Sequence, residues 1–109
     1  MKQLLLFILF FATVLAAPLM TNADSVTAQN NAALNLIHTL GCKGCHTIGK
    51  DGGSLAPDLT QVGSRLTEAQ IIARLKDHQQ PREEGFMPNY SSLDQRELKL
   101  ISNYLYNLR

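Results

Sequence analysis

Cys42-Lys43-Gly44-Cys45-His46 restricts what this chain can become more than any other segment. It holds both cysteines and one of the three histidines among 109 residues. A disulfide between Cys42 and Cys45 would close so small a loop that it would constrain the unfolded chain little. It would also leave His46 without a role. A structural zinc site normally takes four ligands, and this segment supplies three at most. A redox-active dithiol usually sits in a βαβ setting, and no strand periodicity surrounds the motif. The remaining chemistry is covalent attachment of haem, for which C-x-x-C-H is the attachment sequence. Its spacing lets two thiols form thioethers with the two vinyl groups on one porphyrin edge. The adjacent imidazole can then swing beneath the ring to the iron.

The N-terminus has a different composition. Lys2 is the only charge before Asp24, and Leu4 to Phe11 is a dense apolar run followed by small residues. This is the pattern of a secretory signal. Small side chains at Thr21-Asn22-Ala23 put the expected cleavage after Ala23, whereas a cut after Ala17 would leave Pro18 next to the scissile bond. The competing reading is an uncleaved anchor, because the uncharged span Gln3–Asn22 reaches the roughly 20 residues that cross a bilayer. The expected domains are therefore a signal segment at 1–23 and one folded domain at 24–109. The whole chain carries a formal charge of +1, and Lys2 belongs to the signal segment, so the domain is formally neutral. No basic stripe suggests nucleic acid. A domain this small gains from an added staple, and a large bound cofactor is a strong one.

Three helices are expected, with no repeat and no sustained strand pattern. The first spans about Ser25–Leu40, where Ala33, Leu36, Ile37 and Leu40 share one face, and Gly41 can end it. The second spans about Thr67–His78. It has a capping-box pair in Thr67 and Gln70, a stripe of Ile71, Ile72 and Leu75, and Pro81 beyond it. The third spans about Asp94–Leu108. Asp94 and Glu97 form a second capping-box pair, and Leu98, Ile101, Leu105 and Leu108 form its stripe. The loops at 47–64 and 79–92 are long for so small a domain, which suggests that something inside the fold holds them. The fold class is all-α.

Four side chains are candidates for the second axial position of the iron. Met20 leaves with the signal segment. His38 is too close to Cys42 in sequence to cross to the opposite face, and reads as a solvent-facing helix residue. His78 reads as a surface histidine near a helix C-terminus. Met87 lies in the loop Gly85-Phe86-Met87-Pro88, outside the three apolar stripes, and is the preferred candidate. His/Met ligation is the arrangement of cytochromes c.

With these motifs in place, the chain resembles the small bacterial class I c-type cytochromes over about residues 28–109. The segments that carry the likeness are GCKGCH, APDLTQVGSR and FMPNYSSLDQRELKLISNYL. The resemblance implies a cytochrome c-like all-α fold wrapped around one haem c, covalently held by Cys42 and Cys45. It implies His46 and Met87 as axial iron ligands. The Pro57 carbonyl is expected to accept the Nδ1–H of His46, and Leu59 to pack on the proximal haem face. Ala33 and Ile37 are expected where the first helix crosses the last, with Tyr104 opposite. Arg65 either reaches a haem propionate or is a solvated loop arginine. Tyr90 bonds either to a propionate or to backbone, and Phe86 lies either at the haem edge or in the core. Lys43 is expected to be exposed beside the haem edge.

The implied function is one-electron transfer between a donor and an acceptor redox protein, bound transiently, in the periplasm or on its membrane. The chain would catalyse no transformation itself. Competing readings are a haem-based gas sensor or small haem enzyme with a labile distal ligand, and a fixed electron-entry subunit of a larger oxidoreductase.

Overall fold

The computed structural model describes residues 22–76 and 87–109. The expectations for the apolar N-terminal run, Met20, His78, Pro81, Gly85 and Phe86 lie outside the described residues. Helix α1 (Asn22–Thr39) starts three residues before its expected beginning, so the expected cleavage point after Ala23 falls in its first turn. Ser25 and Thr27 hydroxyls donate back to the Asn22 and Ala23 carbonyls at 2.8 and 3.0 Å. Residues 22–32 are all exposed, and only the second half of α1 packs, through buried Ala33 and Ile37. Gly41 ends the helical path with φ +73°, a left-handed conformation that costs glycine no Cβ clash.

Helix α2 (Glu68–Lys76) and helix α3 (Gln95–Tyr106) begin at the two expected capping boxes. The Gln70 N–H donates to Thr67 Oγ1 at 3.2 Å, and the Thr67 N–H donates to Gln70 Oε1 at 2.9 Å. Asp94 and Glu97 do the same at 2.8 and 3.0 Å. Each box satisfies two donors that the first turn of a helix would otherwise leave unpaired.

Helix α3 is the centre of the packing, touching both α1 and α2. Its Leu98, Ile101 and Leu105 are buried together with Ile37 of α1 and Ile71 and Leu75 of α2. Ile48 and Val62 join this cluster from the long loop between α1 and α2. Ser102 breaks the apolar rule: it is fully buried on α3. Its hydroxyl lies 3.1 Å from the Lys99 carbonyl and 3.3 Å from Glu68 Oε1, so it links α3 to the start of α2.

The described part of the fold is mostly helical with little strand, which is the cytochrome c-like all-α arrangement expected. One detail differs from the sequence expectation. Loop 47–64 contains a small antiparallel hairpin, β1 (Thr47–Ile48) with β2 (Asp51–Gly52), paired Thr47 to Gly52 and Ile48 to Asp51. Strands of two residues are too short for an alternating pattern to show in sequence.

Ile101 and Leu34 test this packing. Ile101 is 1% exposed and Leu34 is 37% exposed. Ile101→Ala is expected to cost about 2–5 kcal/mol of unfolding free energy. Leu34→Ala should stay within about 0.5 kcal/mol. Urea denaturation of both variants measures the difference, and equal losses would contradict the core described here.

Candidate functional site

The motif lies on a tight turn because Gly41 redirects the chain out of α1. Residues Cys42–Gly44 form one turn of 3₁₀ helix. The amides of Cys45 and His46 both donate to the Cys42 carbonyl, at 3.3 and 3.0 Å. This curl leaves Cys42 half-buried against the core cluster and Cys45 exposed, both as free thiols. Among the described residues, no three His, Cys, Asp or Glu side chains group closely enough to hold a metal ion by themselves. Burial pushes the Cys42 thiol up, against a weaker opposing pull from a backbone hydrogen bond. A raised thiol is a poor match for a reactive dithiol, whose nucleophile needs a stabilised thiolate.

His46 is buried, with 9% of its surface exposed. Its Nδ1 lies 2.7 Å from the Pro57 carbonyl oxygen. A carbonyl can only accept, so Nδ1 carries the proton. In the neutral ring this leaves the lone pair on Nε2. Metal-ligating histidines are commonly oriented in this way, with one nitrogen donating to a fixed acceptor and the other turned to the metal.

The Pro57 carbonyl is held there by a ladder between the motif and the following loop. The Gly53 N–H donates to the Lys43 carbonyl at 2.9 Å, and the Ala56 N–H to the Cys45 carbonyl at 3.0 Å. The Leu59 N–H donates to the Thr47 carbonyl at 2.9 Å. Gly52, at φ +127°, sits where a Cβ would collide with the His46 carbonyl. Lys43 is half-buried rather than exposed, which corrects the sequence expectation. The cause is local: the loop at Gly53 folds onto its backbone.

Side chains extend the ladder. Asp58 Oδ1 accepts from the Thr60 N–H at 2.7 Å. Thr60 Oγ1 accepts from the Gly49 N–H at 3.1 Å. Arg65 Nη2 donates to the Asp58 carbonyl at 2.7 Å. Asp58 and Thr60 were not singled out from sequence. The Asp-x-Thr spacing directly after a proline is nevertheless a turn signal, because Asp side chains bond the backbone two residues on. The Asp58 carboxyl is held below the ordinary carboxylate range, chiefly by Thr60 and secondarily by the charge of Arg65.

Leu59 and Met87 are half-buried, and both pack on the same apolar cluster as Cys42. Tyr90 closes the segment after Met87 onto the motif. Its N–H donates to the Leu75 carbonyl at 2.9 Å. Its hydroxyl contacts the Leu40 carbonyl at 3.5 Å, which is backbone just ahead of the motif. The Tyr90 phenol is pushed up by burial first, and then by the charge that Cys42 and Cys45 would carry as thiolates. His38 is exposed on α1. The ladder therefore brings Cys42, His46, Pro57 and Leu59 to one region, and the core cluster connects Met87 to it.

A buried, pre-oriented imidazole and two free thiols that do not group around a single point fit attachment to a large macrocycle better than a small metal site. A family model described as Cytochrome c matches residues 31–109. No curated protein and no solved structure matches the chain.

The Asp58 carboxyl gives a test of the ladder. Its depressed folded-state titration means that Asp58 favours the fold above the unfolded value of about 3.9. That contribution is lost as pH falls through the folded value. Carbon-detected NMR should show the Asp58 carboxyl titrating below about 3.9 in the folded protein, and returning to it in urea. A folded midpoint at or above the urea value would contradict the Thr60 and Arg65 contacts.

Proposed function

The chain belongs to the cytochrome c family, and from that premise we propose that residues 24–109 carry one haem c and act as a one-electron carrier. The family is one of haem-binding electron carriers. The observation that carries the reading is the 2.7 Å bond from His46 Nδ1–H to the Pro57 carbonyl, next to Cys42 and Cys45. It leaves one imidazole nitrogen for iron within reach of both attachment thiols.

Cys42 and Cys45 hold the macrocycle through two thioethers in this reading, and His46 and Met87 hold the iron. When bound, the haem supplies a one-electron iron couple. The chain contributes rigidity. Pro57 fixes the orientation of His46, Leu59 contributes apolar surroundings, and the core packing of Met87 supports a soft sulfur ligand, which raises the reduction potential. With His46 and Met87 both engaged, no coordination position is left for a substrate. That supports a carrier rather than an enzyme. Arg65 belongs to the surroundings of the site through its bond to the Asp58 carbonyl.

The setting follows from the sequence. The charge-poor apolar N-terminal run supports export, with the periplasm as the compartment or a tether facing it as the alternative. Among the described residues no helix is long and apolar enough to cross a membrane. The partners are a donor and an acceptor redox protein that bind transiently through small surfaces, as electron-transfer encounters usually do. The formal neutrality of residues 24–109 supports no role for nucleic acid.

Two measurements check the proposal in protein matured with haem. The chain should retain haem through denaturing electrophoresis, and a Cys42→Ala/Cys45→Ala variant should lose it. The visible spectrum of the reduced protein should not change on adding carbon monoxide, whereas Met87→Ala should bind it readily. Prompt carbon monoxide binding by the unmodified protein would favour a sensor or small haem enzyme.

A further inference from the structure

Pro57 is the hydrogen-bond acceptor for His46, but a carbonyl in a loop is only as well aimed as the peptide unit that bears it. The proline ring fixes its own φ. The remaining freedom of the Pro57–Asp58 peptide lies in ψ of Pro57 and φ of Asp58. On the near side, the Ala56 N–H is tied to the Cys45 carbonyl at 3.0 Å. On the far side, Asp58 is gripped at two points. Its carbonyl takes the Arg65 guanidinium at 2.7 Å, and its carboxylate takes the Thr60 N–H at 2.7 Å. Thr60 is itself anchored, because its Oγ1 accepts from the Gly49 N–H at 3.1 Å. Gly49 lies in the turn of the hairpin that follows His46. The clamp thus begins and ends on the segment that carries the histidine.

We propose that Thr60 and Arg65 are positioning residues that act through Asp58 to aim the Pro57 carbonyl at His46 Nδ1. The proposal rests on the reading that His46 ligates the iron. It assigns Arg65 a role in backbone positioning through Nη2. The contacts of Thr60 and Arg65 are exposed, and exposed polar contacts contribute little to stability. Their effect lies in the direction of one carbonyl. A well-aimed acceptor at Nδ1 raises the basicity of the ring. A more basic imidazole would, as an iron ligand, favour ferric over ferrous iron. Loosening the clamp therefore raises the fraction of reduced protein at a fixed electrode potential.

The test uses the haem-loaded protein, with Thr60→Val, Thr60→Ser and Arg65→Met. Thr60→Val removes the hydroxyl and changes no charge, so its potential reports the hydrogen bond alone. The reduced-to-oxidised ratio at fixed potential should rise about threefold, which is roughly 30 mV for one electron. Thr60→Ser should restore it. Arg65→Met also removes a charge, so it is read by solvent exchange of the His46 Nδ1–H in the ferrous protein. That exchange should accelerate roughly three- to tenfold, the scale of one weakened hydrogen bond.

An Arg65 that served only a propionate would leave this exchange unchanged, and that result removes Arg65 from the clamp. Wild-type ratio in Thr60→Val removes Thr60. NMR of the unmodified ferric protein separates this proposal from the reading beneath it. Iron-shifted His46 ring signals with unaltered variants overturn the clamp alone. Ring signals without an iron shift overturn the ligand assignment and the clamp with it.

Discussion

The apolar stripe of α3 is the surface on which the described fold is assembled. Leu98 and Ile101 are each 1% exposed, and both other helices pack against α3. Burying a side chain of that size contributes about 1.5–3 kcal/mol, so a few such residues decide which helices meet. The stripe also receives Ile48 and Val62 from the long loop. The loop is therefore anchored in the helical core at two points, one on each side of Pro57. Without those anchors the ladder of loop hydrogen bonds would compete with water on equal terms.

The ladder turns helix packing into a site. His46 is two residues from Ile48 in sequence, and it is buried. Its acceptor comes from eleven residues further along the chain. A buried imidazole nitrogen without a partner would carry a desolvation cost of about 1–3 kcal/mol. The Pro57 carbonyl removes that cost for one nitrogen, and the proposed iron bond removes it for the other. The proposed cofactor and the loop thus stabilise one another. This accounts for long connections in a domain too small to hold them by apolar burial alone.

The helices were legible in the sequence because their signals are local. Both capping boxes sit within four residues, and the stripes of α1 and α3 recur at helical spacing. The start of α1 was placed late because no apolar periodicity marks residues 22–32, which bury nothing. The attachment motif was legible because its chemistry needs three residue types at fixed spacing. Ser102 and the Thr60–Asp58–Arg65 contacts were not. A buried serine looks like a surface serine until its Glu68 partner is known. An arginine bound to a carbonyl looks like one awaiting an anion.

By itself the sequence determined the all-α class and the C-x-x-C-H spacing of Cys42, Cys45 and His46 on which the proposed haem attachment rests, because these depend on spacing along the chain. Tertiary structure alone decided the half-buried place of Lys43, the bond from Tyr90 to the Leu40 backbone, and the grip of Arg65 and Thr60 on Asp58. Those contacts join residues whose separation is set by loop closure and packing, and neither is written in any short stretch of residues.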